Sequence, residues 1–81
     1  MVPVFVRPVS VKLEHRKILG QTIRKFRVKA GWSIEQLAEK ADLHHNYVGE
    51  LERGEKAASI DTLVKIASGL EVEAWKLLKR L

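Results

Sequence analysis

The chain has 81 residues, room for one small domain. Apolar residues make up 46% of it and charged residues 31%, which suits a folded domain and excludes a disordered polar chain. It has no cysteine, so disulfides, iron–sulfur clusters and thiolate zinc sites are excluded, and its net charge of +5 points to an anionic partner.

Residues 1–12 alternate valine with other residues and carry Pro3 and Pro8. Valine favours an extended chain and each proline removes a ladder donor, so this stretch reads as an extended N-terminal arm. It is too short and too proline-broken for a secretory signal. From Leu13 the period becomes helical. Leu19, Ile23, Phe26 and Ala30 share one face of a first helix over 13–30, and Gly31 stops it where a left-handed residue is usually needed. A second helix covers 33–41. Ser33 caps it, Gln36 completes a capping box, and Trp32 staples onto Leu37. Leu37, Ala38 and Ala41 face inward. A third helix covers 45–53 and ends before Gly54. A fourth covers 59–69, capped by Ser59, with Leu63, Ile66, Ala67 and Leu70 inward. A fifth covers 73–81, with Trp75, Leu78 and Leu81 on one stripe. Trp75 there either seals the core or faces a partner. The expected fold class is all-α, a compact cluster of five short helices over 13–81 behind the arm. No apolar run approaches the ~18 residues of a membrane span, so no membrane partner is expected.

Charge is unevenly spread. Residues 1–31 hold eight Lys/Arg and one acid, and residues 32–72 hold four basic and eight acidic residues. Residues 73–81 hold three basic and one acidic. Any anion-binding surface in the acidic middle must therefore rely on more than net charge.

Only three or four residues join the second and third helices, so the two cross steeply as a helix-turn-helix. Ala38 is the small residue that the crossing needs. Asp42 sits where a left-handed backbone is needed, which aspartate tolerates better than most residues. On the third helix Val48, Leu51 and Glu52 lie inward. The opposite stripe is Asn46, Gly49, Glu50 and Arg53, flanked by His45. His44 and His45 invite a metal reading. Adjacent helical residues point about 100° apart, however, and helical metal pairs need i, i+3 or i+4 spacing. No metal, cofactor or small-molecule ligand is expected. No motif arranges carboxylates around a pocket, so an enzyme is not expected either.

Four segments, "LGQTIRKFR", "SIEQLAEKA", "YVGELERG" and "LVKIASGLEV", together resemble the lambda-repressor-like (Xre-type) helix-turn-helix family, from Leu19 to about Leu78. The resemblance implies a small bacterial or phage transcription regulator, of repressor or restriction–modification controller type, cytoplasmic and nucleoid-associated. Its partner would be double-stranded DNA with a palindromic operator. It would act as a homodimer, often paired through the fifth helix, where Trp75, Leu78 and Leu81 are candidates. The third helix would enter the major groove, with His45, Asn46, Gly49 and Glu50 toward the bases. Asn46 can pair with adenine N6 and N7, Glu50 can accept from cytosine N4, and His45 can donate to a guanine or a phosphate. Gly49 either permits close approach to DNA or is a tolerated surface glycine. Candidates for the DNA backbone are Gln36, Lys40, His44, Arg53, Lys56 and Ser59, with the N-terminal amides of the second and fourth helices. Arg53 could hold a phosphate or a guanine. The resemblance also implies a structural ion pair between Arg27 and Glu52. Departures from the family pattern are Ile34 for the common glutamine, Asp42 for glycine, His44 for a serine or threonine cap, and Ala57–Ala58 after Lys56. The alternative reading is a protein-interaction module, such as an antitoxin or co-regulator with the same fold.

Overall fold

A computed structural model describes the backbone of residues 9–81 and side chains from residue 14. Five helices follow in order: α1 (Val9–Ala30), α2 (Ile34–Ala41), α3 (His45–Glu52), α4 (Ile60–Leu70) and α5 (Ala74–Leu78). α1 packs on α3, α2 packs on both α3 and α4, and α5 closes against α4 and α1. No strand occurs among the described residues.

Both chain ends differ from expectation. α1 begins at Val9, so residues 9–12 are helical and not part of an extended arm. Valine's strand preference is worth under ~1 kcal/mol and depends on having a sheet to join. Each residue added to an existing helix gains a backbone hydrogen bond, so elongation prevails. Residues 1–8, the rest of the expected arm, lie outside the described residues. At the other end α5 stops at Leu78, and Leu81 N–H closes a tight turn onto the Leu78 carbonyl at 3.0 Å. Leu77 is the one buried residue of this helix, and residues 79–81 are exposed.

α2 is short, and its ends are made by side chains. Ser33 Oγ accepts from Gln36 N–H (3.1 Å), and Gln36 Oε1 accepts from Ser33 N–H (2.8 Å), which completes the capping box. Its far end turns through Asp42 at φ 56°, where Leu43 N–H reaches the Ala38 carbonyl at 2.9 Å. α4 ends the same way at Glu71 (φ 59°), with Val72 N–H on the Ala67 carbonyl at 2.9 Å. Ser33→Ala should cost about 1 kcal/mol, since the Gln36 amide loses its acceptor while the bond from the backbone N–H of residue 33 to Gln36 Oε1 remains possible. Thermal unfolding would then shift down by roughly 4–8 °C, which calorimetry can read directly.

The core joins Leu19 and Ile23 of α1 to Leu37, Ala38 and Ala41 of α2. Val48 and Leu51 of α3, Leu63, Ile66, Ala67 and Leu70 of α4, and Leu77 of α5 complete it. Ala30, expected on the inner face of α1, is exposed, because the core ends a turn earlier at Phe26. On α5 the buried leucine is Leu77, while Trp75 is 55% exposed. Trp75 therefore does not seal the core.

Candidate nucleic-acid interface

α3 is held by α1 from behind at two points. Gly20 lets the α1 backbone come directly against the last turn of α3. A Cβ there would overlap the Leu51 carbonyl oxygen and sit 2.5 Å from that of Glu52. Two turns further along α1, Arg27 grips Glu52 with a fork. Nε donates to Oε2 at 2.6 Å and Nη2 donates to Oε1 at 2.9 Å, while Nη1 donates to the Trp32 carbonyl at 2.8 Å. Both side chains are buried, at 11% and 4% exposure. The Glu52 hydrogen bonds, and then its charge, raise the Arg27 pKa above its ordinary value, against the lowering effect of burial. Stability linked to a raised pKa is present below the unfolded value and lost only as pH rises past it. For arginine that lies above any pH at which the domain would be studied.

The outer side of α3 meets the start of α2 across an open groove of about 550 Å³. His45, Asn46, Gly49, Glu50 and Arg53 line one wall, and Ser33, Ile34 and Glu35 line the other. His45 and Asn46 are exposed, and Glu50 is half-buried. His44 caps α3 from outside the helix, at φ −73° and ψ 138°, and its Nδ1 accepts from Asn46 N–H at 3.1 Å. An accepting Nδ1 carries no proton, so in the neutral ring the proton sits on Nε2. Because His44 is not helical, the 100° rule for adjacent helical residues does not apply to the pair. The two imidazoles stack, with centroids 4.6 Å apart and planes at 23°.

Gly49 is placed differently from either reading made on the sequence. It is buried, and the Arg53 guanidinium lies over it; a Cβ there would meet Arg53 Nη1 at 3.1 Å. The missing side chain makes room for arginine, and any approach to Gly49 first displaces Arg53. Arg53 is itself tied to Glu55, with Nε to Oε2 at 2.8 Å and Nη2 to Oε1 at 3.3 Å, both side chains more than half exposed. The hydrogen bonds from Arg53 hold the Glu55 carboxyl below its ordinary value, so this pair exists at neutral pH and is lost as pH falls through that lowered value.

The candidate backbone-contacting residues are dispersed. Gln36 Oε1 is committed to the capping box. Lys40 Nζ sits 4.5 Å over the Trp32 ring. Ser59 Oγ accepts from Thr62 N–H at 3.1 Å, and Lys56 is exposed. The first turns of α2 and α4 carry Glu35 and Asp61, which stabilise those helices but oppose a phosphate at their amides. Leu78 and Leu81 are partly exposed, as are Ile60 and Val64 of α4. Three residues, Glu35, Tyr47 and Glu55, were not assigned to this surface from the sequence, and Ile34 was noted there only as a departure from the family pattern. Glu35 and Ile34 form the wall facing α3. Tyr47 ties α3 to the start of α4, its hydroxyl 3.3 Å from both the Ala57 carbonyl and Thr62 Oγ1. The third is Glu55, two residues beyond Arg53, whose spacing was the available signal.

Comparison with known proteins bears on this surface. The HTH_3 family, described as helix-turn-helix, matches residues 23–74. Control protein C.SmaI of Serratia marcescens is 37% identical over 68 residues, covering 84% of this chain and 81% of that protein. Control protein C.BamHI of Bacillus amyloliquefaciens is 39% identical over 64 residues, covering 78% and 79%. The crystal structure of the restriction–modification controller protein C.AhdI from Aeromonas hydrophila superposes with a TM-score of 0.76 at 35% identity, covering 76% of this chain and 94% of that one.

Proposed function

This chain belongs to the helix-turn-helix (HTH_3) family, and from that premise we propose that it is a DNA-binding transcription regulator of the restriction–modification controller kind. It regulates by binding and is not an enzyme. The observation that carries the reading is the outer face of α3. A helix fixed from behind by Gly20 and by the Arg27–Glu52 fork presents exposed His45 and Asn46, with Glu50, along an open groove. That is the arrangement by which such a helix enters the major groove with its N-terminal residues leading.

In this reading Asn46 pairs with adenine, Glu50 accepts from a cytosine amino group, and His45 donates to a guanine or a phosphate. Arg53 leaves Glu55 for a phosphate or a guanine, which exposes Gly49. Lys40, Lys56, Ser59, Gln36 and His44 face the sugar–phosphate backbone. One α3 covers a few base pairs, so a homodimer on a palindromic operator is proposed, with two reading helices about one DNA turn apart. Trp75, Leu78 and Leu81 are exposed apolar side chains available for that contact. A strict monomer in sedimentation at high concentration, with and without DNA, would count against the dimer. The setting is the cytoplasm, on the nucleoid; no helix of the described residues is long and apolar enough to cross a membrane.

An anisotropy titration tests the reading. DNA from upstream of the protein's own gene should bind more tightly than a scrambled duplex by roughly 10³-fold or more. Equal, weak binding to both would refute it and favour a protein-interaction role. Glu55→Gln releases Arg53 and removes one carboxylate beside the proposed path of the phosphates. It should raise affinity by roughly two- to fivefold at low salt, the scale of one exposed ion pair. It should also steepen the slope of log K against log salt by about one.

A further inference from the structure

A second charged surface lies on the far side of α1. A groove of about 470 Å³ runs between the later turns of α1 and α5, lined by Lys25, Lys29, Lys76, Lys79 and Arg80 around a floor that includes Phe26. No carboxylate lines it, and none of the five cations takes part in an ion pair among the described residues. Thr22, at its edge, has its hydroxyl proton committed to the Ile18 carbonyl at 2.9 Å. The floor is thus apolar and the rim cationic. Helix dipoles explain some of this, since Lys29 and Lys76 sit in the last turns of their helices. They do not explain Lys25, nor why the cations of two helices surround one apolar hollow.

We infer that this groove docks an acidic segment of a partner protein, one that sets an aromatic or aliphatic side chain on Phe26 and its carboxylates against the lysines and Arg80. The inference goes beyond the DNA-binding reading and does not depend on it. An apolar floor favours such a segment over nucleic acid, whose backbone offers charge but nothing to bury. Position favours it too. Lys25 and Lys29 each lie 200° around α1 from Arg27, which faces α3. A segment bound here leaves the α3 surface open, so both surfaces can be occupied together. The groove is also distinct from the hollow that Leu78 and Leu81 line with His15 and Leu63.

The test uses the full chain, isotopically labelled, with two synthetic peptides of equal charge. One alternates aspartate with phenylalanine and leucine, and the other is oligo-aspartate. The first should shift the amide signals of Lys25, Phe26, Lys29, Lys76, Lys79 and Arg80 and leave those of Asn46 and Glu50 in place. Lys25→Glu with Lys79→Glu should weaken it about tenfold or more, while the preference for DNA from upstream of the gene over a scrambled duplex stays the same within about twofold. Folding of that variant is checked by the unshifted signals of α2 and α4. Three results would overturn the inference: equal binding of oligo-aspartate, shifts spread over every cationic surface, or displacement of the peptide by a non-specific duplex that occupies the groove.

Discussion

Gly20→Ala is expected to remove much of the stability of the protein, by ~3 kcal/mol or more. The added methyl would overlap the Leu51 carbonyl and press on that of Glu52, and both obstacles are backbone. A flexible side chain could swing aside; the last turn of α3 cannot. Relief requires α1 and α3 to separate, which would loosen Leu19 and Ile23 against Val48 and Leu51. A domain of this size holds only about 5–15 kcal/mol in total, at roughly 4–8 °C per kcal/mol. Denaturant unfolding should show a midpoint far below that of the parent, or a chain unfolded in buffer. A midpoint within experimental error of the parent would mean that α1 and α3 do not approach as described.

Arg27→Met should be nearly as damaging, at about 3–5 kcal/mol, because it leaves the Glu52 carboxylate buried without its partner. The Trp32 carbonyl loses its donor as well. The damage comes from the orphaned charge more than from the loss of attraction, and a second variant separates the two. Arg27→Met combined with Glu52→Leu removes both charges, and replacing a buried pair by apolar residues is often close to neutral. The double variant should therefore recover most of the stability that the single one loses. If the two variants were equally unstable, the fork would be contributing specific geometry that apolar packing cannot replace. If the single variant were as stable as the parent, the pair would have no structural role.

Local chemistry was the legible part of this protein. Ser33 with Gln36, Ser59 before α4, and the left-handed Asp42 each depend on residues a few positions apart, and the structure has all three. The inner faces of α2 and α4 were legible because their apolar residues repeat at helical spacing. The Arg27–Glu52 pair spans 25 residues and came only through the family resemblance. What escaped depends on which elements meet. Nothing near Gly20 indicates that α3 will lie against it, and a glycine within a helix otherwise reads as a small loss of helix stability. Leu77 and Leu78 are neighbours of the same type, and the packing of α5 on α4 and α1 decides that Leu77 is the buried one. Glu71 takes the same left-handed turn as Asp42, yet a glutamate carries no local sign of it.

The proposed reading face was legible as a stripe but not as a surface. Asn46, Glu50 and Arg53 fall together at helical spacing, and they line one groove. The position of Arg53 over Gly49, and its tie to Glu55, depend on a rotamer and on the turn after α3, which periodicity does not describe. The outcome alters the expected energetics. Much of the positive charge nearest the groove is already paired, Arg27 with Glu52 and Arg53 with Glu55, and Glu35 and Glu50 add negative charge. In the proposed complex, specific base contacts would therefore supply a large share of the binding.

The most direct test of this account is selection of bound sequences from randomised duplexes, run in parallel for the parent protein and for Asn46→Ala. The parent should enrich two half-sites related by a dyad, about one DNA turn apart. Asn46→Ala should enrich the same half-sites with the preference lost at one A·T pair in each, a discrimination worth about 1–3 kcal/mol. An unchanged motif, or no motif from the parent, would contradict the assignment of base reading to the outer face of α3.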